Sequence, residues 1–133
     1  MTKLATLEFE QYLDHPPAVV WQALTDPAQH AKWWAAGDVG AEVGHRFTLE
    51  MGPWGAQRCE VLEAEPEKLL RYTFAEGVLD SVLTWRLEPE GHGTRLFLTH
   101  AGLDLDSEAG RAAHKGMGQG WPGLLAAMNT TIG

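Results

Sequence analysis

The spacing of apolar residues along the chain changes three times, and each change marks a different kind of element. Residues 4–13 alternate between apolar and polar side chains, which predicts a first strand with one apolar face. The spacing over residues 16–25 is that of a helix. Asp26 and Pro27 then start a second short helix over 27–34, because Asp caps helices well and Pro suits the first helical turn.

Between Gly44 and Gly102 the apolar residues recur at every second position. This pattern predicts antiparallel strands over residues 45–52, 57–64, 68–75, 79–88 and 94–100. The segment Glu90–Gly93 predicts a tight hairpin, since both of its glycines accept the positive φ that such turns require. A slip of one residue would expose every apolar face, so the alternation specifies a sheet with one buried side.

The last predicted element is a helix over residues 107–131, where large apolar residues recur at intervals of three and four. Pro122 and several glycines lie inside it, at a cost of about 3 kcal/mol for the proline and about 1 kcal/mol for each glycine. Two interpretations fit: a kink near Trp121 and Pro122, or a helix that begins near Gln119.

This order of elements predicts an α+β fold, in which a curved antiparallel sheet of six or seven strands wraps around a long C-terminal helix. Residues 1–133 are expected to form a single domain. Because a twisted sheet and one helix rarely fill all the space between them, we expect a cavity there that binds a small molecule.

Composition narrows the classes of partner. Ten Lys and Arg against 18 Asp and Glu give a net charge of −8, which argues against nucleic acids and anionic membranes. The chain lacks an apolar run of about 18 residues, and Cys59 is its single cysteine, so an intrachain disulfide and a cysteine-based zinc site are excluded. A cytoplasmic location is therefore expected.

Few residues suggest catalysis. The six histidines lack the spacing of a metal site, and neither a catalytic triad nor a nucleotide-binding fingerprint is recognisable, so we expect no metal and no cofactor. His100 shares the inward face of its strand with Leu96 and Leu98. It acts either as an acid–base group or ligand partner inside the cavity, or as a structural histidine bonded to nearby backbone.

The expected cavity lies between the sheet and the last helix. Tyr72 and His100 supply polar groups to it, although Tyr72 fits a plain core position equally well. Cys59 is expected to be a small buried hydrophobe with a raised pKa. The predicted ligand-binding residues are Trp33, Trp34, Phe47, Leu49, Cys59, Leu70, Tyr72, Trp85, Leu98, His100, Met117, Trp121 and Leu125.

Two tryptophan sites have alternative interpretations. Trp33 and Trp34, together with His30, either wall the mouth of the cavity or plug the edge of the core. Trp54 lies in the turn over residues 52–55, where it either gates the open end of the sheet or is simply exposed.

Several motifs, in this order and spacing, resemble those of the START/Bet v1-like helix-grip superfamily, in its branch related to the activator of Hsp90 ATPase. They are Ala18–Pro27, Trp33-Trp34, Leu83–Leu87 followed by Gly93–Leu96, Thr99–Leu103, and Gly120-Trp121 followed by Leu124 and Leu125. The resemblance spans about residues 5–130 and implies a cavity for hydrophobic ligands, whose uses range from lipid or polyketide binding to cyclisation and protein interaction.

Three functions are therefore considered. The leading one is binding of a small hydrophobic or aromatic molecule. The second is an enzyme of the cyclase or hydratase kind, with His100 as acid–base group. The third is a protein-interaction module, which forms a homodimer or contacts a chaperone through Trp33, Trp34 and Trp54.

Overall fold

The computed structural model describes residues 3–132. The order of its strands explains why two helices follow the first strand. The sheet has the order β1-β6-β5-β4-β3-β2, with every pair antiparallel. Since β1 and β2 lie at opposite edges, α1 and α2 carry the chain across. The elements are β1 Leu4–Leu13, α1 Pro17–Thr25, α2 Pro27–Trp33, β2 Arg46–Glu50, β3 Ala56–Glu65, β4 Leu69–Phe74, β5 Ser81–Glu90, β6 Gly93–Asp104 and α3 Glu108–Thr131, with a 3-10 turn at Gly52–Trp54.

One face of the sheet is buried, as the alternation predicts. A row of cross-strand partners crosses it: Leu7, His100, Leu83, Tyr72 and Val61. All but the half-buried Leu7 are almost completely buried. The opposite face carries the ion pairs Arg46–Glu60, Arg71–Glu63, Arg86–Glu88 and Arg95–Glu90. The predicted fold class is therefore confirmed, with six strands among the described residues.

The hairpin between β5 and β6 is as tight as predicted, but its two glycines act differently. Glu90 pairs with Gly93, and Gly91 alone of the two glycines has a positive φ, of 60°. Gly93 lies against Tyr12 and Leu13, where a Cβ would overlap the Tyr12 hydroxyl and the Leu13 carbonyl oxygen. Glycine is thus favoured at position 91 because the turn needs a positive φ, and at position 93 because a side chain has no room.

The C-terminal helix runs without interruption from Glu108 to Thr131, so the interpretation that it begins near Gln119 is wrong. Ser107 caps it, accepting a hydrogen bond from the backbone N–H of Gly110 at 2.9 Å. Trp121, Leu125 and Met128 are fully or almost fully buried against the rest of the core. This packing compensates for the hydrogen bond that Pro122 cannot donate.

Gly110 fixes the start of α3 against the end of β6. A Cβ at this position would overlap the backbone carbonyl of Asp104, and a backbone neighbour cannot move aside as a side chain can. We therefore expect Gly110→Ala to lower the free energy of unfolding by about 2–4 kcal/mol, measured by urea denaturation. Gly116→Ala is the matched control, because a Cβ there meets no atom within 4 Å and the gain in helix propensity raises stability by up to about 1 kcal/mol. If Gly110→Ala were as stable as the wild type, the close contact between Gly110 and the Asp104 carbonyl would be contradicted.

Candidate functional site

A cavity of about 440 Å³ opens at the end of the sheet where α3 begins. It lies between the first half of α3, the loop that joins β2 to β3 and the loop that joins β4 to β5. Such a volume is within the range of small-molecule sites, about 300–1,000 Å³. The cavity is lined by Trp34, Met51, Trp54, Gln57, Phe74, Ala75, Val78, Leu79, Ala109, Ala112, Ala113, Gly116, Met117, Gly120, Trp121 and Leu124.

The cavity exists because α3 turns small residues toward it. Ala109, Ala112, Ala113, Gly116 and Gly120 follow one another at helical intervals and all line it. A Cβ added at Gly116 or Gly120 would meet no atom within 4 Å. The first half of α3 therefore leaves open a volume that larger side chains would fill.

Aromatic rings form the floor. The ring centroids of Trp34 and Trp121 lie 4.9 Å apart in an edge-to-face arrangement, and those of Trp34 and Phe74 lie 5.7 Å apart. Trp121 also meets Trp85 edge to face at 5.6 Å, so the floor is continuous with the core of the sheet. Edge-to-face pairs of this kind add to the stabilisation that burial supplies.

A chain of hydrogen bonds holds this floor from behind. The indole N–H of Trp121 donates to Nδ1 of His100 at 3.2 Å, which places the proton of the neutral imidazole on Nε2. Nε2 then donates to Oγ of Ser81 at 2.9 Å, and the Ser81 hydroxyl donates to the Phe74 carbonyl oxygen at 3.1 Å. Both nitrogens of His100 are therefore engaged, and the chain ties Trp121 to Phe74.

Burial keeps His100 uncharged. The side chain is fully buried, and desolvation lowers its pKa from 6.5 to about 4. A second proton on Nδ1 would face the indole N–H of Trp121, donor against donor. Burial likewise lowers the pKa of His30, whose ring lies 5.3 Å from that of Trp34.

Apart from the indole N–H groups of the tryptophans, Gln57 brings the polar side-chain group of the described cavity lining. It is 9% exposed and stands on β3 opposite Leu49. Its Nε2 donates to the backbone carbonyl oxygen of Trp54 at 2.7 Å, which ties the side chain to the loop at the mouth.

Large apolar side chains are exposed at the mouth itself. Trp54 is 77% exposed on the β2–β3 loop, and Val78 is 57% exposed on the β4–β5 loop. Both line the cavity. The mouth therefore has an apolar rim on two loops, and Trp54 is both exposed and part of the cavity wall.

The structure brings three of the predicted ligand-binding residues to the cavity: Trp34, Met117 and Trp121. The remaining ones are buried in the core and are not among its lining residues; they are Trp33, Phe47, Leu49, Cys59, Leu70, Tyr72, Trp85, Leu98, His100 and Leu125. These side chains fill the space along the middle of the sheet. The open volume lies nearer the sheet end.

Several of these core residues have satisfied polar groups. Trp33 donates its indole N–H to the Ala23 carbonyl oxygen at 2.8 Å, and Trp85 donates to the Tyr72 hydroxyl at 3.1 Å. Burial raises the pKa of Tyr72 and raises that of Cys59 to about 12. Cys59 is thus the small hydrophobe that the sequence predicts, and Tyr72 occupies a core position.

Sequence reasoning missed Gln57 and the small-residue face of α3. Extending the inward phase of Val61 and Cys59 back by one step would have placed Gln57 toward the interior. The glycines inside α3 suggest only a cost in helix stability, whereas the helical spacing of the small residues over 109–120 is the informative signal.

Among residues 3–132, histidine, cysteine and acidic side chains do not gather in a group of three or more that would suit a metal ion. Across the same residues, no helix combines the length and apolarity needed to cross a membrane.

The chain matches one family model and is similar to several proteins of known structure. The model of a family described as activator of Hsp90 ATPase homolog 1-like protein matches residues 14–133. Protein MLL2253 from Mesorhizobium loti is 34% identical, covers 96% of each chain and superposes with a TM-score of 0.83. BH1534 from Bacillus halodurans is 27% identical over 100% of both chains, with a TM-score of 0.84.

A third solved structure is CalU16 from Micromonospora echinospora, which is 28% identical. The match covers 98% of the present chain and 84% of the CalU16 chain, with a TM-score of 0.75. The comparison with curated proteins gives no match.

The buried histidines predict loss of stability in acid. In the window from pH 6.5 down to about 4, unfolded His100 binds a proton that the folded chain does not, so the free energy of unfolding falls as the pH falls. His100 contributes at most about 1.4 kcal/mol per pH unit to this slope. We expect urea denaturation across this range to give a shallower slope for His100→Gln than for the wild type.

The half-exposed His114 offers a matched control for that experiment. His114→Gln makes the same substitution outside the buried network, so it shows how much of the change in slope comes from the substitution itself. Equal slopes for His100→Gln and the wild type would show that His100 titrates as it does in the unfolded chain.

Proposed function

The chain belongs to the activator of Hsp90 ATPase homolog 1-like family, and on that premise we propose that it binds a small, uncharged, largely aromatic molecule in the cavity beneath the first half of α3. The observation that carries this proposal is an open volume of about 440 Å³ with walls of apolar side chains and small helical residues. Open cavities of this volume with mainly apolar walls are the usual form of small-molecule sites in proteins.

The chemistry of the lining favours an uncharged ligand. Within the described chain, the residues that line the cavity include no acidic or basic side chain. An ionised group drawn inside would lose its hydration without gaining a partner, at a cost of several kcal/mol. An apolar ligand instead gains about 25 cal/mol for each Å² of apolar surface removed from water.

The shape of the site favours a flat ring system. Trp34, Phe74 and Trp121 offer aromatic surfaces on one side, while Gly116 and Gly120 allow close approach to the helix backbone on the other. Met51 and Met117 also line the cavity, and their unbranched side chains adapt to ligands of different outline.

The observed geometry does not favour the cyclase or hydratase alternative. His100 lies behind Trp121, both of its ring nitrogens are engaged, and its pKa of about 4 is far from the neutral range that suits an acid–base catalyst. The interaction alternative keeps one supporting observation, the apolar rim formed by Trp54 and Val78. Trp33 offers no surface to a partner, because it is almost completely buried.

Binding is tested with N-phenyl-1-naphthylamine, an uncharged aromatic dye whose emission rises in apolar surroundings. We expect saturable binding of one dye per chain to the wild type. Gly116→Leu should weaken binding by roughly tenfold or more, because the new side chain occupies the cavity.

Gly123→Leu is the matched control. It makes the same substitution in the same helix, a Cβ at Gly123 also meets no atom within 4 Å, and Gly123 is outside the cavity lining. Its dye affinity should equal that of the wild type. Equal affinities in all three proteins would place the dye elsewhere and count against the cavity. Light scattering on the same samples decides whether the mouth instead joins two copies.

A further inference from the structure

The amide of Gln57 has a fixed orientation. Its NH2 group faces the carbonyl oxygen of Trp54 at 2.7 Å, and a reversed amide would set two oxygens against each other. The Trp54 carbonyl is itself held, because the surrounding loop is closed by hydrogen bonds from Met51 N–H to the Gly55 carbonyl at 2.9 Å and from Gly55 N–H to the Gly52 carbonyl at 3.0 Å. The side chain therefore presents its nitrogen to the loop and its oxygen away from it.

The oxygen of this amide accepts no hydrogen bond from the described part of the chain, yet part of its surface stays accessible. Among residues 3–132, no hydrogen bond reaches Oε1 of Gln57. In that same range, the side-chain N or O atom that is completely buried without a partner is Nε2 of His30, so Oε1 keeps some reachable surface. Since Gln57 lines the cavity, that surface supplies a hydrogen-bond acceptor at the cavity wall.

We infer that Gln57 selects for ligands that carry a neutral hydrogen-bond donor, such as an aromatic hydroxyl or a ring N–H. This inference rests on the proposed function, because it names the class of molecule that the cavity takes. An acceptor left unpaired in an apolar site is costly, so a ligand without a donor leaves Oε1 dehydrated and unsatisfied. A carboxylate ligand is disfavoured as well, since it would bring negative charge to a carbonyl oxygen.

The test compares 2-naphthol with 2-methoxynaphthalene, each measured at neutral pH by displacement of N-phenyl-1-naphthylamine. The two share a ring system, but methylation removes the donor. We expect the wild type to bind 2-naphthol roughly five- to tenfold more tightly, although the methyl ether is the more apolar molecule. Gln57→Met keeps the side-chain length and loses the amide. In this variant, the dissociation constant of 2-methoxynaphthalene divided by that of 2-naphthol should fall to about 1 or below 1.

The ratio of the two dissociation constants separates two roles of Gln57, which are recognition of the ligand's donor and anchoring of the loop at the mouth. Loss of the hydrogen bond to Trp54 loosens the mouth for both ligands alike, whereas loss of Oε1 weakens binding of 2-naphthol and removes the desolvation cost that 2-methoxynaphthalene meets there. Gln119→Met, at an exposed position of α3 outside the lining, should keep the wild-type ratio.

The outcomes distinguish this inference from the proposed function. Equal affinity of the wild type for both ligands, or a preference for 2-naphthol that survives in Gln57→Met, overturns the role of Gln57 and leaves cavity binding intact. Failure of the wild type to bind the dye or either naphthalene overturns the proposed function, and the inference with it.

Discussion

The shortage of side-chain volume on the first half of α3 is the constraint on which the site depends. Ala109, Ala112, Ala113, Gly116 and Gly120 face the cavity, and among them the glycines cost the helix about 1 kcal/mol each relative to alanine. The second half of the same helix has the opposite character, with Trp121, Leu125 and Met128 buried in the core. One continuous helix is therefore held at its start by the close approach of Gly110 to Asp104 and along its C-terminal half by large side chains, and the small residues between them leave space.

The polar chain behind the floor has a structural role that follows from this division. Trp121 stands where the filled and open parts of the interior meet, and its bond to His100 fixes the side of the indole that faces the core. The same chain reaches the backbone of Phe74 through Ser81, so two of the floor rings share one support. Fully satisfied buried networks of this kind favour a single arrangement of the side chains that they join.

The fold could be predicted from the sequence because strand alternation and turn residues are local signals. The alternation of the strand alone predicts that His100 and Leu98 point inward, and the structure buries both. The cavity could not be located in the same way, since an inward aromatic residue has the same pattern whether it fills a core or lines an opening. Trp85 and Trp121 are both fully buried and in contact, but only Trp121 borders the open space. That difference depends on how far α3 stands from each strand, which no local pattern encodes.

Gln57 links the mouth of the cavity to its wall, and this gives the site a coupling that neither part has alone. Its amide donates to the backbone of the loop that carries Trp54, while its oxygen faces away from that loop. A donor that binds the oxygen polarises the amide and strengthens the hydrogen bond from its nitrogen, because linked hydrogen bonds reinforce one another. Trp54 is 77% exposed on that loop, so the hydrogen bond from Gln57 also fixes the position of the largest apolar side chain of the rim. The residue that offers an acceptor to the ligand is therefore the residue that anchors the loop at the mouth.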